Sequence, residues 1–285
     1  MKRFLLYSTA LVALALILIA AAMTVRTCHW QSDVEEALAI RPSTKLLCVG
    51  GSHTGCTWED SDAKGVQTIW KSSTPLPFSW VRLLEIERRG GFGNAKVICI
   101  DCCMPGCDID EDDILREMSR QWPLVWRYWN AMPVGGFRIL REALLPMFRD
   151  WVVGETAPHD DRCWTKLSHE QQMKEFPNVA TQYRGPEERA VLLDYLNRIR
   201  DICQRNDLRL VILFAPLPSN NPQRTFPFLG EWKGILADQG FEVLDCRTVC
   251  PDEDFRDSHH LVWWGRERFT DKMLKKLGLK GNGGN

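Results

Sequence analysis

The sequence predicts an α/β domain built on a parallel β-sheet. Short, almost continuous apolar runs alternate with segments whose apolar residues recur at helical spacing, and glycine, proline or acidic residues bound the runs. A continuous apolar run is typical of a strand that is buried on both faces, and strands that alternate with helices are typical of a parallel sheet. We therefore expect about five parallel strands covered by helices.

The strands are predicted from the apolar runs. The first run ends at Gly50-Gly51, as a buried strand does at a tight turn, whereas residues 55–73 have the composition of a loop. An asparagine, Asn130, follows the third run. The predicted strands are residues 45–49, 95–100, 124–129, 208–215 and 241–244.

The helices between the strands have recognisable ends. Proline opens the segment 78–89 and glycine closes it, and Pro186 opens a helix that carries an apolar face. The remaining predicted helices cover residues 111–120, 228–239 and 264–276. Residues 132–184 show no clear period, and we expect an insertion that overhangs one end of a strand and shapes the substrate pocket.

Length and charge limit the function. The 285 residues are 45% hydrophobic and 26% charged, which is enough apolar material for one main domain. We place this domain at residues 45–280, after a linker at 27–44. The net charge is -1, so the chain lacks the basic excess that binds nucleic-acid phosphates. Nucleic acid is therefore not an expected partner, and the oligomeric state is left open.

The N-terminus predicts export. Lys2 and Arg3 precede an uncharged run, residues 4–23, which is long enough to cross a membrane as one helix. The basic residues are expected to stay in the cytoplasm. A cleavable signal is the alternative, because Ala20 and its neighbours are small. We assign residues 1–26 to an anchor or signal and expect the domain outside the cytoplasm, in a periplasmic or extracellular space.

The cysteines suit an exported chain. There are eleven, and an odd number leaves at least one thiol unpaired. Local disulfides are expected within two groups, and zinc is the alternative, although neither group has paired Cys-x-x-Cys spacing with a histidine. The first group is Cys102, Cys103 and Cys107, and the second is Cys246 and Cys250.

A serine and an acid–histidine pair suggest catalysis. Ser52 follows the first strand, where residues of open α/β sheets line the ligand crevice. A serine becomes a nucleophile when an imidazole takes its proton, and a carboxylate holds that imidazole in the correct tautomer. Asp257 and His260 are three residues apart and would share one face of a helical turn. His259 is the rival for the base.

Taken together, these two blocks resemble the SGNH (GDSL-like) hydrolase family. Gly50-Gly51-Ser52 stands where the family has Gly-Asp-Ser, a variant similar to that of membrane-anchored members. The C-terminal block matches the family at Asp257, His260, Leu261, Gly265 and Phe269. Val262 replaces the usual asparagine. The two blocks bracket about 220 residues, which is nearly all of the chain after the N-terminal segment.

The resemblance implies a fold and a mechanism. The fold is a flavodoxin-like three-layer α/β/α sandwich, here with an added N-terminal transmembrane helix. Ser52 would be the nucleophile, His260 the general base and Asp257 the residue that orients it. The backbone N–H groups of Ser52 and Gly106 would hold the oxyanion, with Asn130 as a third donor, although the family's neighbouring glycine and aspartate are missing beside it. No cofactor or metal is required.

The expected activity is that of an exported serine esterase that acts on an acylated carbohydrate. A cell-envelope polysaccharide O-acetyltransferase is the alternative, because exported, anchored relatives include such enzymes. A non-catalytic binding or scaffold protein with the same fold is the second alternative. Tryptophans motivate the carbohydrate, since indole rings stack on sugars, although core packing is their commoner role. They are Trp58, Trp70, Trp151, Trp164, Trp263 and Trp264.

The N-terminal segment generates the first prediction. The mature protein is expected to keep residues 1–23 and to fractionate with membranes, because an uncharged run of this length favours a membrane span over a cleaved signal. N-terminal sequencing of the membrane fraction checks this. A soluble mature chain that begins near Thr24 would refute the anchor and leave the catalytic hypothesis intact.

Overall fold

The computed structural model contains one five-stranded parallel sheet. It describes residues 38–70, 74–102, 125–134 and 186–279, together with isolated positions outside these ranges. The strands lie in the order β2-β1-β3-β4-β5, and every pairing is parallel. They are β1 (Leu46–Gly50), β2 (Val66–Trp70), β3 (Val97–Asp101), β4 (Arg209–Phe214) and β5 (Glu242–Asp245). The α/β class with a parallel sheet is thus confirmed.

Five α-helices flank this sheet in the described part of the chain. They are α1 (Ser52–Thr57), α2 (Leu76–Arg89), α3 (Pro186–Arg205), α4 (Pro227–Asp238) and α5 (Trp263–Lys276). Helices α2 and α3 pack on each other, as do α1 and α5. Short 3-10 helices cover Val125–Ala131, Pro222–Thr225 and Asp252–Asp254.

Two strand assignments differ from the sequence prediction. Residues 124–129 were predicted to be a strand, but Val125–Ala131 is a 3-10 helix that directs Arg127 and Tyr128 to one carboxylate, that of Glu85. Conversely, Val66–Trp70 lies in a stretch predicted to be a loop. This strand is at the edge of the sheet and pairs only with β1, so its sequence can include polar residues. These polar residues interrupt the continuous apolar run from which the other strands were predicted.

The remaining strands agree with the prediction to within two residues at each end. Every residue of β1 is buried, as are the first four residues of β3 and the last four of β4. The predicted helices 78–89, 228–239 and 264–276 also correspond to observed helices. For the segment 111–120, the described residues Ile114, Leu115 and Met118 are helical and buried.

A buried carboxylate, Glu85, ties helix α2 to the 3-10 helix. Its side chain is 1% exposed and accepts hydrogen bonds from Arg88, Arg89, Arg127 and Tyr128. Burial alone would raise the pKa of Glu85, but these bonds lower it from 4.5 to about 2. The carboxylate therefore stays ionised at any ordinary pH.

The disulfide expected between Cys246 and Cys250 is absent, and both residues are free, buried thiols. Cys246 lies against the sulfur of Met273 instead, at 3.4 Å. Burial raises the pKa of Cys246 to about 12 and that of Cys250 to about 11. They therefore serve as small apolar side chains of the core. Cys103 and Cys107 lie outside the described residues.

The N-terminal segment lies almost wholly outside the described residues. Within the described part of the chain, no helix is long and apolar enough to span a membrane.

Helix α5 is held against the Asp252–Asp254 turn by a close backbone approach at Gly265. A Cβ atom at Gly265 would lie 2.6 Å from the backbone oxygen of Asp254 and 2.9 Å from its Cβ atom. One turn further along, Phe269 packs edge-on against the buried Trp58, with ring centroids 5.1 Å apart. These contacts give Gly265 and Phe269 a role in packing α5 against the rest of the domain.

The close approach generates the second prediction. Gly265→Ala is expected to lower the free energy of unfolding by about 1–3 kcal/mol, because the added methyl group would overlap backbone atoms of Asp254, which cannot rotate away as the end of a side chain can. Gly234→Ala is the matched control, since nothing lies within 4 Å of a Cβ atom at that position on α4. The control should be neutral or slightly stabilising. Equal stability of the two variants in urea unfolding would contradict the packing argument.

Candidate active site

Ser52 lies at the carboxyl edge of the sheet. It is the first residue of α1, which begins immediately after β1. The backbone approaches closely at Gly50, where a Cβ atom would lie 2.3 Å from the hydroxyl oxygen of Thr54 and would have to displace that side chain. The N–H groups in the first turn of a helix have no acceptor within that helix. The half-buried Ser52 therefore offers both a hydroxyl and a backbone donor at the end of the strand.

Asp257 organises the loop that precedes α5. Its Oδ1 atom accepts the backbone N–H groups of His259 at 3.0 Å and of His260 at 2.8 Å. Its Oδ2 atom lies 2.8 Å from Nδ1 of the His260 ring. Burial opposes the ionisation of Asp257, but the bond from His260 and the neighbouring charges outweigh it and hold the pKa well below its usual range. The loop therefore folds around a permanent carboxylate.

This contact determines the tautomer of His260. Since Asp257 is ionised, it can only accept, so Nδ1 of His260 carries the proton and donates it. The other nitrogen, Nε2, is then the basic one. It is buried and has no hydrogen-bond partner within the described residues. His260 thus combines a fixed proton on one nitrogen with an available lone pair on the other.

The loop is attached directly to the helix of Ser52. The backbone N–H of Leu261 donates to the carbonyl of Cys56 at 3.2 Å, and Arg266 donates to the carbonyl of Gly55, also at 3.2 Å. These two contacts bring Ser52 and the acid–histidine pair, which are some two hundred residues apart in sequence, to the same edge of the sheet.

Asn221 supports the same loop from the other side. Its side chain is buried, donates to the carbonyl of Ser258 at 2.8 Å and accepts the N–H of Gln223 at 2.8 Å. The segment after β4 thereby contacts the loop of Asp257 and His260. The particular asparagine was not identified from the sequence.

His259 has different partners from His260. Its Nδ1 atom lies 2.7 Å from the hydroxyl of Ser258 and 3.8 Å from Asp257. Burial, followed by the neighbouring His260, lowers the pKa of His259 to about 4. Of the two adjacent histidines, only His260 has the close carboxylate contact that a catalytic base needs.

A third histidine, His53, completes the cluster. It follows Ser52 on α1, and its ring stacks on His259 with centroids 4.8 Å apart and an interplanar angle of 18°. Burial, with smaller contributions from His259 and His260, lowers the pKa of His53 well below 6.5. The signal that could have identified it is its position directly beside Ser52, the predicted nucleophile.

Asp257, His259 and His260 are also close enough to hold a metal ion, since one ligand atom from each lies within 4.8 Å of the others. The hydrogen bonding does not suit that use. Both oxygens of Asp257 already accept N–H donors, and a cation would have to displace the bond to His260. The arrangement is better suited to proton transfer than to ligation.

Two further residues, Gly106 and Asn130, were predicted to donate hydrogen bonds to the oxyanion. Gly106 lies outside the described residues. Asn130 is exposed and belongs to the 3-10 helix Val125–Ala131, whose Ala131 carbonyl accepts a hydrogen bond from Tyr195. The strand end that was expected to place Asn130 at the site does not exist.

The tryptophans divide into two groups. Trp58 is 1% exposed and belongs to the core. Trp70, Trp263 and Trp264 are 44%, 64% and 38% exposed. The ring of Trp70 lies against Gly55 of α1, and Trp263 and Trp264 contact each other at the start of α5, two residues after the loop. Trp151 and Trp164 lie outside the described residues.

Comparisons with known proteins add little to this geometry. No family model matches the sequence, and no curated protein matches it. Among solved structures, the chain is similar to one from Bacteroides fragilis described as a "putative acylhydrolase", with a TM-score of 0.38 and 8% sequence identity. The alignment covers 82% of this chain and 86% of that protein.

Proposed function

We propose that the protein is a serine esterase of the SGNH kind, which transfers an acyl group through a Ser52 ester. The observation that carries the proposal is the state of His260. Its Nδ1 atom is bonded to Asp257 at 2.8 Å, and its Nε2 atom is buried and unpartnered among the described residues, on a loop bonded to the helix of Ser52. A general base for serine needs this arrangement.

The chemical steps follow from these groups. Nε2 of His260 takes the proton of the Ser52 hydroxyl as the oxygen attacks the acyl carbon, and Asp257 stabilises the imidazolium that forms. His260 then gives the proton to the leaving alcohol. Water or a sugar hydroxyl then attacks the acyl-enzyme and gives its proton to His260. His260 returns this proton to the Ser52 oxygen as the acyl group leaves. In resting enzymes the bond between nucleophile and base is often long and tightens when substrate binds.

The negative oxygen of the tetrahedral intermediate needs donors. The backbone N–H of Ser52 is proposed as the first, because the start of α1 leaves it without an intrahelical acceptor. Gly106 is proposed as the second on the family resemblance. Asn130 remains a prediction without support from its place in the 3-10 helix.

The proposed fold is the flavodoxin-like three-layer sandwich of this family. The strand order β2-β1-β3-β4-β5 and the two separate helix pairs, α1 with α5 and α2 with α3, support it. The proposed location is outside the cytoplasm, behind an N-terminal anchor, and it rests on the uncharged run 4–23 alone.

An acylated carbohydrate is the proposed substrate. Trp263 and Trp264 are exposed directly after the His260 loop, and Trp70 is exposed beside α1. Exposed indole rings offer faces on which sugars stack. A polysaccharide O-acetyltransferase is the alternative that the same surface supports, because an acceptor sugar would bind there as well as a donor. A non-catalytic scaffold is the second alternative.

The triad generates the third prediction. Ser52→Ala and His260→Ala are each expected to lower the turnover of an acyl nitrophenyl ester by several powers of ten, and Asp257→Asn by somewhat less. His259→Gln is the control, because it removes an adjacent imidazole that lacks the close carboxylate contact. It should retain far more activity than His260→Ala. The reverse ranking of the two histidine variants would show that His259 is the base, and full activity of Ser52→Ala would end the proposal.

The fourth prediction separates hydrolysis from transfer. With an acyl donor and oligosaccharide acceptors present, free acid is expected to exceed acylated sugar, because water reaches an open site easily. Mass spectrometry of both products measures the ratio. If acylated sugar dominates, the transferase takes the place of the esterase as the proposed function.

Replacement of Trp263 by alanine should raise KM for a sugar ester more than for a small nitrophenyl ester.

A further inference from the structure

The His260 ring is in contact with two other imidazoles. His259 lies 3.9 Å away between ring centroids, at an interplanar angle of 49°, and His53 lies 5.6 Å away at 57°. His53 and His259 also stack on each other. The three rings form one cluster, which we call the imidazole cluster.

His53 is the member of this cluster that does not belong to the loop of His259 and His260. It belongs to α1, and its Nδ1 atom lies 3.7 Å from a carboxylate oxygen of Asp101, the last residue of β3. The side chains of His53 and Asp101 are only 13% and 7% exposed. The His53 ring is therefore carried by a helix and lies beside a strand end, whereas the His260 ring is carried by the loop.

A hydrogen bond at one atom does not determine the orientation of a ring. Asp257 holds Nδ1 of His260, but tilting of the ring about that contact would swing Nε2 on its far side. Flat neighbours restrict such tilting, because a rotated ring would collide with them. A displacement of about 1 Å at a reacting atom is enough to cost about a hundredfold in rate.

We propose that His53 is a positioning residue, which together with His259 holds the His260 ring so that Nε2 keeps one orientation. This rests on the catalytic roles proposed above for Ser52 and His260. His53 itself is not the base for Ser52, because adjacent residues of a helix do not face each other.

The neutral state of the His53 ring agrees with this role. The lowered pKa of His53 keeps its ring neutral near neutral pH, for which burial is the main cause. A neutral ring packs against the imidazolium of His260 without repelling it, whereas a second cation at this distance would oppose proton uptake.

Steady-state kinetics of the full chain with a nitrophenyl ester give the first test. His53→Leu removes the flat ring and is expected to lower kcat about ten- to a hundredfold, with KM within about twofold of the wild type. His53→Phe keeps a flat ring and should restore kcat to within about threefold of the wild type. Unchanged kcat in His53→Leu, or a loss in His53→Phe as large as that in His53→Leu, would overturn the proposal.

A second measurement does not depend on turnover. Nitrogen NMR of the imidazoles reports whether the His260 ring has one orientation or several, and His260→Gln identifies its signals. Wild type and His53→Phe should show one sharp set of His260 signals, and His53→Leu broadened or doubled signals, because the ring tilts while Nδ1 stays bonded to Asp257. One sharp set in His53→Leu, the same as in the wild type, would overturn the positioning role. Broadened or doubled signals in that variant, with no ester turnover in the wild type, would support positioning and remove the proposed esterase.

If His53→Leu does not fold, His259→Leu replaces it in both experiments. It removes the other half of the contact with His260 and leaves α1 unchanged. The same loss of kcat and the same broadened or doubled His260 signals are expected, since removal of either neighbouring ring leaves one side of His260 less restricted. One sharp set of signals and normal kcat in a folded His259→Leu would overturn the proposal.

Discussion

The carboxylate of Asp257 is the contact on which the rest of the site depends. It accepts the N–H groups of His259 and His260 and the Nδ1 proton of the His260 ring, so one side chain shapes the turn and sets the tautomer of the ring. Because the acceptor is ionised, each of these bonds is charge-assisted. A neutral amide at this position has one oxygen instead of two, and it could not serve all three donors.

The turn that Asp257 shapes is also held in place by contacts with other parts of the fold. Two attachments meet it, from α1 through the Cys56 carbonyl and from the segment after β4 through Asn221, and α5 is packed on the preceding 3-10 helix at Gly265. Each comes from a different part of the chain. Most of the matched C-terminal pattern therefore serves position, and only Asp257 and His260 have the atoms that chemistry needs.

The sequence predicted the central strands well and the edges of the fold poorly, for a physical reason. β1, β3 and β4 are buried on both faces and must be apolar, whereas β2 has one neighbouring strand and ends at the exposed Trp70. The apolar run at 124–129 was mistaken for a strand because a short run does not distinguish a strand from a 3-10 helix. Its arginine and tyrosine are spaced to reach Glu85.

The acid–histidine pair was predictable because its members are close in sequence, and the imidazole cluster was not. His53 is separated from His259 by more than two hundred residues, and nothing in the local pattern says that they stack. Only the parallel sheet, which collects the ends of β1 and β3 at one edge, places His53 and Asp101 beside the loop. Contacts of this kind follow from topology, which single-sequence patterns do not encode.

The state of the Nε2 atom of His260 helps to distinguish a catalyst from a scaffold protein. A buried polar atom without a partner costs about 1–3 kcal/mol, and folded proteins tolerate few of them. Among the described residues, the hydroxyls of Thr54 and Thr57 on α1 are also buried without partners, so this cost alone does not distinguish a site. What distinguishes His260 is the carboxylate at its other nitrogen, which makes the unpartnered atom basic. A scaffold gains nothing from a buried base, whereas a serine nucleophile requires one.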